Sequence, residues 1–214
     1  MRNLLICILA GVVFSVVIPG KSYSQFYKIY GYGTPEAGEK ELVYWLSYIP
    51  SSDHTYYYFG EDVERKGLLA HSFEIEYALS NKFSVALYAD FEQPKGGDFK
   101  YVRTKAVMAR YRFYEKNSRP VDLALYAEYK LPKKGYKEPF KDSEELELKV
   151  IMEKDYGLHR FVANPTFEKK MSGYEMTEGI EFVFNCGYYF MKSLTVQPGI
   201  EFYSKMGAIR EINS

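Results

Sequence analysis

The chain has 214 residues, balanced at 28 basic and 28 acidic side chains, and an aromatic share of 18%, mostly Tyr and Phe. A neutral balance without a basic stripe argues against a nucleic-acid partner, and this length gives no reason to seek more than one domain. Aromatic β-formers at such density favour strands, and in an exported protein they match the aromatic girdles of outer-membrane barrels.

The first segment runs from Met1-Arg2-Asn3 through an apolar core, Leu4 to Ile18, to Pro19-Gly20 and Ser22-Tyr23-Ser24. A basic end, an apolar run and small residues at −3 and −1 are the pattern of a secretory leader, so cleavage is expected after Ser24. The apolar run is about 15 residues, shorter than the ~20 a spanning helix needs, which disfavours a retained anchor. Cys7 follows Ile6 rather than a small residue, which argues against a lipoprotein signal. Residues 1–24 are therefore read as a signal peptide and 25–214 as one exported domain. Cys186 is then the remaining thiol. A lone cysteine supports no internal disulfide, zinc site or redox motif and is read as a small apolar residue.

After the leader no segment approaches 18 consecutive apolar residues, which excludes a helical membrane protein on hydropathy. The remaining signal has period two. In the first strand Leu42, Tyr44, Leu46 and Tyr48 alternate with Glu41, Val43, Trp45 and Ser47. The second sets Phe73, Ile75 and Tyr77 against Ser72, Glu74 and Glu76. After a tight turn at Ser80 to Lys82 the third sets Phe83, Val85, Leu87, Ala89 and Phe91 against Ser84, Ala86, Tyr88, Asp90 and Glu92. The fourth has Val107, Ala109, Tyr111 and Phe113 against Met108, Arg110 and Arg112, and the fifth Val121, Leu123, Leu125, Ala127 and Tyr129 against Asp122, Ala124, Tyr126, Glu128 and Lys130. The sixth sets Leu146, Leu148, Val150 and Met152 against Glu145, Glu147, Lys149 and Glu153. A seventh, around Phe161, Ala163 and Phe167, is weakened by Pro165, which has no amide to donate. The eighth reads Ile180, Phe182, Phe184 against Glu181, Val183, Asn185, and the ninth Leu194, Val196, Ile200, Phe202 against Thr195, Gln197, Gly199, Glu201. No helix is expected.

Short turns follow strands two, four, six and eight. The connections after strands one, three, five and seven are longer and more polar: Pro50 to Lys66, Gln93 to Lys100, Pro132 to Asp142 and Lys169 to Tyr174. Outer-membrane barrels alternate short periplasmic turns with longer outer loops in this way. The fold class read from the sequence is therefore all-β, an antiparallel up-and-down transmembrane β-barrel. Bacterial barrels normally have an even strand count and commonly end on an aromatic residue, whereas this chain ends Ile212-Asn213-Ser214. At least one closing strand is expected to be missing.

The apolar row then meets lipid and the polar row lines the lumen: Glu74, Glu76, Asp90, Glu92, Arg110, Arg112, Asp122, Glu128, Lys130, Glu145, Glu147, Lys149, Glu181 and Glu201. Charges turned to hydrocarbon would cost roughly 2–4 kcal/mol each near the midplane. Arg110 and Arg112 are expected to pair across strands with Asp90 and Glu92 on one side and Asp122 and Glu128 on the other. The row serves either as a salt-bridge filling or as a selective lining around a solute path. Catalytic groups are not found: His54 beside Asp53, Ser51 and Ser52 has no nucleophile-base-orienter spacing, and His71 and His159 sit at strand starts. Glu61, Asp62 and Glu64 with Asp53 match no metal loop, and Gly31-Tyr32-Gly33 lacks the strand-to-helix context of a phosphate loop.

The stretch Gly33-Thr34-Pro35-Glu36-Ala37-Gly38-Glu39-Lys40-Glu41-Leu42 enters a Trp-bearing strand. With Ser51-Ser52-Asp53-His54 and His71-Ser72-Phe73-Glu74-Ile75-Glu76-Tyr77, it resembles the start of a loosely characterised family of Gram-negative outer-membrane β-barrel proteins regarded as transporters. That resemblance implies the outer membrane as location, outer-membrane lipid and a small solute as partners, and no catalytic residue or cofactor. The expected function is a channel or transport-related barrel. The alternatives are a structural or adhesive barrel with partner-binding outer loops, an outer-membrane enzyme, and a soluble periplasmic β-barrel.

Overall fold

The computed structural model describes residues 29–137, 142–193 and 197–208, with nothing to be said of the side chains of Val107 and Met108. The expected leader over 1–24, Leu194 to Val196 of the last predicted strand, and 209–214 lie outside the described residues. The strands are β1 (Lys40–Tyr48), β2 (Thr55–Tyr58), β3 (Glu61–Glu64), β4 (Leu69–Ser80), β5 (Phe83–Gln93), β6 (Lys100–Arg112), β7 (Asp122–Pro132), β8 (Glu145–Tyr156), β9 (His159–Lys170), β10 (Glu181–Phe190) and β11 (Gly199–Ala208).

Nine of them form one sheet in the order β1-β4-β5-β6-β7-β8-β9-β10-β11, with β1 and β4 paired from Lys40↔Tyr77 to Tyr48↔Leu69 and every other neighbour also antiparallel. Among the described residues no ladder joins β1 to β11. β2 and β3 make a separate hairpin inside the long first loop. Its two-residue turn, Phe59-Gly60, has positive φ at both residues (51° and 111°), the requirement of a type I′ turn.

Two strands depart from the expected register. β6 begins at Lys100 rather than near Val107, because shifts at Asp90/Phe91, Ala86/Tyr88 and Ala106/Ala109 break the period-two pattern along it. Pro165 lies inside β9, opposite Phe184 of β10. On its other side the β8 ladder skips from Lys149↔Thr166 to Met152↔Ala163, so the missing amide falls in a gap of the pairing.

Burial is reversed relative to a water-soluble sheet. Leu42 is 75% exposed, Leu87 49% and Leu148 48%, whereas Glu76, Asp122 and Glu128 are 1%, 0% and 2% exposed. Alternate residues of one strand thus divide into exposed apolar and buried charged sets. Among the described residues the other sheet is the small β2–β3 hairpin, and the charged face of the nine strands is covered by its own side chains and by residues 29–35.

The outer face carries aromatic clusters at both strand ends. Near the long loops Phe73, Phe91, Phe99 and Tyr101 pack together with Tyr44 and His71. At the short turns Phe113 meets Tyr111 and Tyr114, and Phe161 meets Tyr156 and Tyr188. Between them the paired rows Leu42–Ile75–Leu87 and Ala127–Leu148 are aliphatic.

Candidate functional site: a charged interior around the chain's own segment

The buried face is divided into separate charged groups. In the first, Lys130 donates to Glu145 Oε1 at 2.6 Å and Glu147 Oε2 at 2.7 Å, with Glu128 and Glu168 each at 3.9 Å. Lys149 bridges to Glu147 Oε1 at 2.7 Å, Tyr126 donates to Glu128 at 2.6 Å, and Lys170 pairs with Glu145. Glu145, Glu147 and Glu168 bring carboxylate oxygens within 4.8 Å of one another, a spacing suited to a cation. The ammonium of Lys130 already supplies that cation.

The second group lies on β1, β4, β5 and β6. Glu74 accepts from Tyr88 Oη at 2.5 Å and from Trp45 Nε1 at 3.2 Å. Glu76 accepts from Ser84 at 2.5 Å, with Arg110 at 4.0 Å. Further along, Asp90 is held by Arg103 Nε and NH2 at 2.8 and 2.7 Å and by Ser72 at 2.6 Å. Glu92 accepts from Tyr136 Oη at 2.9 Å. Burial first, and the Glu92 charge second, raise the hydroxyl pKa of Tyr56 and Tyr136 and push that of Tyr58 up to about 12, so all three remain protonated.

The expected pairing of Arg110 and Arg112 with Asp90, Glu92, Asp122 and Glu128 does not form. β6 reaches back to Lys100, so Arg103 stands opposite Asp90, while Arg110 faces Ser84 and Tyr126, and Arg112 faces Ala124. Asp122 instead accepts the Asn117 amide at 2.7 Å. Arg112 lies over the Tyr32 ring at 5.6 Å, Glu181 pairs with Lys205 at 2.7 Å, and Glu201 accepts from Tyr189 at 2.7 Å. His71 and His159 meet Tyr44 and Tyr188 hydroxyls at 2.7 and 2.8 Å on the outer face.

Residues 29–35 lie against the buried face; sequence reading took Gly31-Tyr32-Gly33 as a failed glycine motif and Gly33 to Pro35 as the start of the stretch resembling outer-membrane barrels, and assigned none of them to the interior. Tyr30 gives its amide to Asn164 Oδ1 at 2.6 Å and receives Asn164 Nδ2 on its carbonyl at 3.0 Å. Tyr32 N donates to Glu153 Oε2 at 2.9 Å, and Arg110 donates to Gly33 O at 2.5 Å. The Tyr30 ring lies 3.8 Å from the Lys149 ammonium and 4.4 Å from the Tyr126 ring, and the Tyr32 hydroxyl reaches Tyr114 O. Ile29 packs with Val162 and Tyr189, where Gly187 leaves room: a Cβ there would stand 2.9 Å from Ile29 Cδ1. Glu153 is also bound by Lys116 at 2.5 Å and Arg160 at 3.2 Å.

No protein-family model matches the chain, and neither the curated proteins nor the solved structures give a match. Function therefore rests on the site itself. Beside the inner segment lies a cavity of about 560 Å³, lined in part by Glu41, Trp45, Tyr88 and Arg110 and reaching Glu153 and Arg160. Its walls combine charged and aromatic groups, an arrangement that can hold a small polar solute by hydrogen bonds and ring contacts.

Proposed function

We propose that the chain is an outer-membrane β-barrel protein of the transport-related kind, with its apolar face in lipid and a small polar solute taken into its charged interior. The observation that carries this reading is the reversed burial: exposed Leu42, Leu87 and Leu148 against buried Glu76, Asp122 and Glu128. In water such a sheet would display a contiguous apolar surface of a size soluble monomers rarely carry. In lipid the same alternation is the expected one, because lipid-facing and lumen-facing residues alternate along every strand. The aromatic clusters at both strand ends support it, since Tyr, Phe and His rings there would sit at the two membrane interfaces. The resemblance of Gly33 to Leu42 to the transporter-like barrels points the same way. A cavity of about 560 Å³ lies within the ordinary range of small-ligand sites.

A second reading, a structural or adhesive barrel that conducts nothing, draws support from the Lys130 cluster and the inner segment, which together fill much of the interior. Fractionation and bilayer recordings separate the readings. A membrane protein is released by detergent and not by high salt, and release by salt alone would refute the membrane assignment. In planar bilayers a transport-related barrel gives conductance whose selectivity moves toward cations in Arg110→Gln/Arg112→Gln. A membrane-bound chain silent under every condition would favour the structural reading.

A further inference from the structure

We propose that the interior is a binding site for an extended polypeptide backbone, and that Ile29–Pro35 is its tethered occupant: a plug that can leave and be replaced by a peptide supplied in trans. The inference deepens the transport reading only in what opening does; the site itself stands on contacts that do not involve lipid.

The main polar contacts to the segment reach its backbone. Asn164 takes both the amide and the carbonyl of Tyr30, Glu153 takes the Tyr32 amide, and Arg110 takes the Gly33 carbonyl. These anchors stand on β9, β8 and β6, and among the described residues the segment joins no ladder of the sheet. Side chains thus do for this stretch what a neighbouring strand does in β-augmentation: backbone bonds give affinity and alternate side chains fill slots. Tyr30 fills one slot, between Lys149 and Tyr126, and Tyr32 another, beneath Arg112.

Departure of the segment would strand no ion. Glu153 keeps Lys116 and Arg160, and Arg110 keeps Glu76 at 4.0 Å. The Asn164 amide is neutral and can be hydrated. An unpaired buried charge would make removal prohibitive; here each charged anchor retains a counter-charge, which removes that obstacle to emptying the site. Emptying the interior would join the space of the segment to the existing cavity.

The test uses full-length chain in detergent micelles with residues 29–35 replaced by a Gly-Ser linker of equal length, and a fluorescent synthetic peptide spanning residues 28–36. Trp45, the single tryptophan, lines the same cavity as Ile29 and Tyr30 and reports occupancy. The expected result is saturable binding that shifts Trp45 emission, little binding by the native chain whose site is filled, and affinity lower by about tenfold in the Asn164→Leu background, the loss of two net hydrogen bonds. In bilayers the linker variant should conduct more than the native chain, and the peptide should block it. A folded linker variant that binds no peptide, or no better than the native chain does, overturns the proposal.

Should the linker variant not fold, Gly33→Cys in a Cys7→Ala/Cys186→Ala chain serves instead, because a Cβ at Gly33 meets nothing within 4 Å. Its labelling by a hydrophilic thiol reagent should quicken several-fold on adding Asn164→Leu, and equal rates would overturn the proposal. Peptide binding by a chain that salt strips from membranes would sink the membrane reading alone. Firm membrane retention without peptide binding would sink this proposal alone.

Discussion

Lys130 donates to Glu147 Oε2 at 2.7 Å although its ladder partner on β8 is Glu145, so its ammonium sits between two carboxylates of one strand. Glu128 and Glu168 complete the surroundings at 3.9 Å each. Lys130→Met would leave these carboxylates around an apolar side chain. Removing one member of such a buried group is expected to cost about 3–5 kcal/mol, and Lys130→Arg distinctly less. Urea unfolding in micelles measures both. A loss for Lys130→Met no larger than that for Lys130→Arg would show that the cluster does not depend on this cation.

Gly187 and Ile29 are coupled by contact, since a Cβ at Gly187 would lie 2.9 Å from Ile29 Cδ1 and 2.7 Å from Tyr189 Oη. Gly187→Val is expected to destabilise the chain by about 1–3 kcal/mol through overpacking. Adding Ile29→Ala should recover part of that loss, with a coupling of at least about 0.5 kcal/mol in the double-mutant cycle. Strict additivity would mean that Ile29 does not occupy the place beside Gly187.

The faces can be tested by placing arginine on each. Leu87→Arg and Leu148→Arg should block membrane assembly, each carrying a charge to lipid at roughly 2–4 kcal/mol. Glu41→Arg, on the cavity wall, should assemble. Alternation alone would have made Ala124 an equally tolerant site, but Ala124 is fully buried against Tyr32, Tyr126 and Ile151, so Ala124→Arg should fail for want of space. Heat-modifiable mobility after urea washing of membranes reads all four. Equal damage at Leu87 and Glu41 in a protein that stays soluble would favour an apolar interior.

The sheet was legible because period two is a local signal: Phe73 to Tyr77 or Leu123 to Tyr129 shows its two faces without knowledge of any partner. Nine of the fourteen residues proposed for the lumen are buried and the other five half-buried, yet their pairings were not readable, since the shifts along β6 replace Arg110 by Arg103 opposite Asp90. Glu153 and Arg160 were passed over for the same reason, as ion pairs are settled by register. The β2–β3 hairpin was missed because its turn is Phe59-Gly60 rather than Asn-Gly or Asp-Gly, and Tyr56-Tyr57-Tyr58-Phe59 shows no alternation. The inner segment had no local signal of its place inside the fold. Its anchors lie 121 to 134 residues away for Glu153 and Asn164, and only the folded sheet brings them together.

Cys186 offers the most direct measurement of whether the apolar face meets lipid. It stands mid-strand on β10 between Ala163 of β9 and Phe202 of β11, on the face opposite buried Tyr189. A fluorophore attached to this thiol in the unfolded Cys7→Ala chain, followed by refolding into vesicles, can be challenged with brominated lipid and with aqueous iodide. A sheet whose apolar face lies in the bilayer predicts strong quenching by the brominated acyl chains and little by iodide. Quenching by iodide with no response to brominated lipid would contradict the membrane-facing assignment.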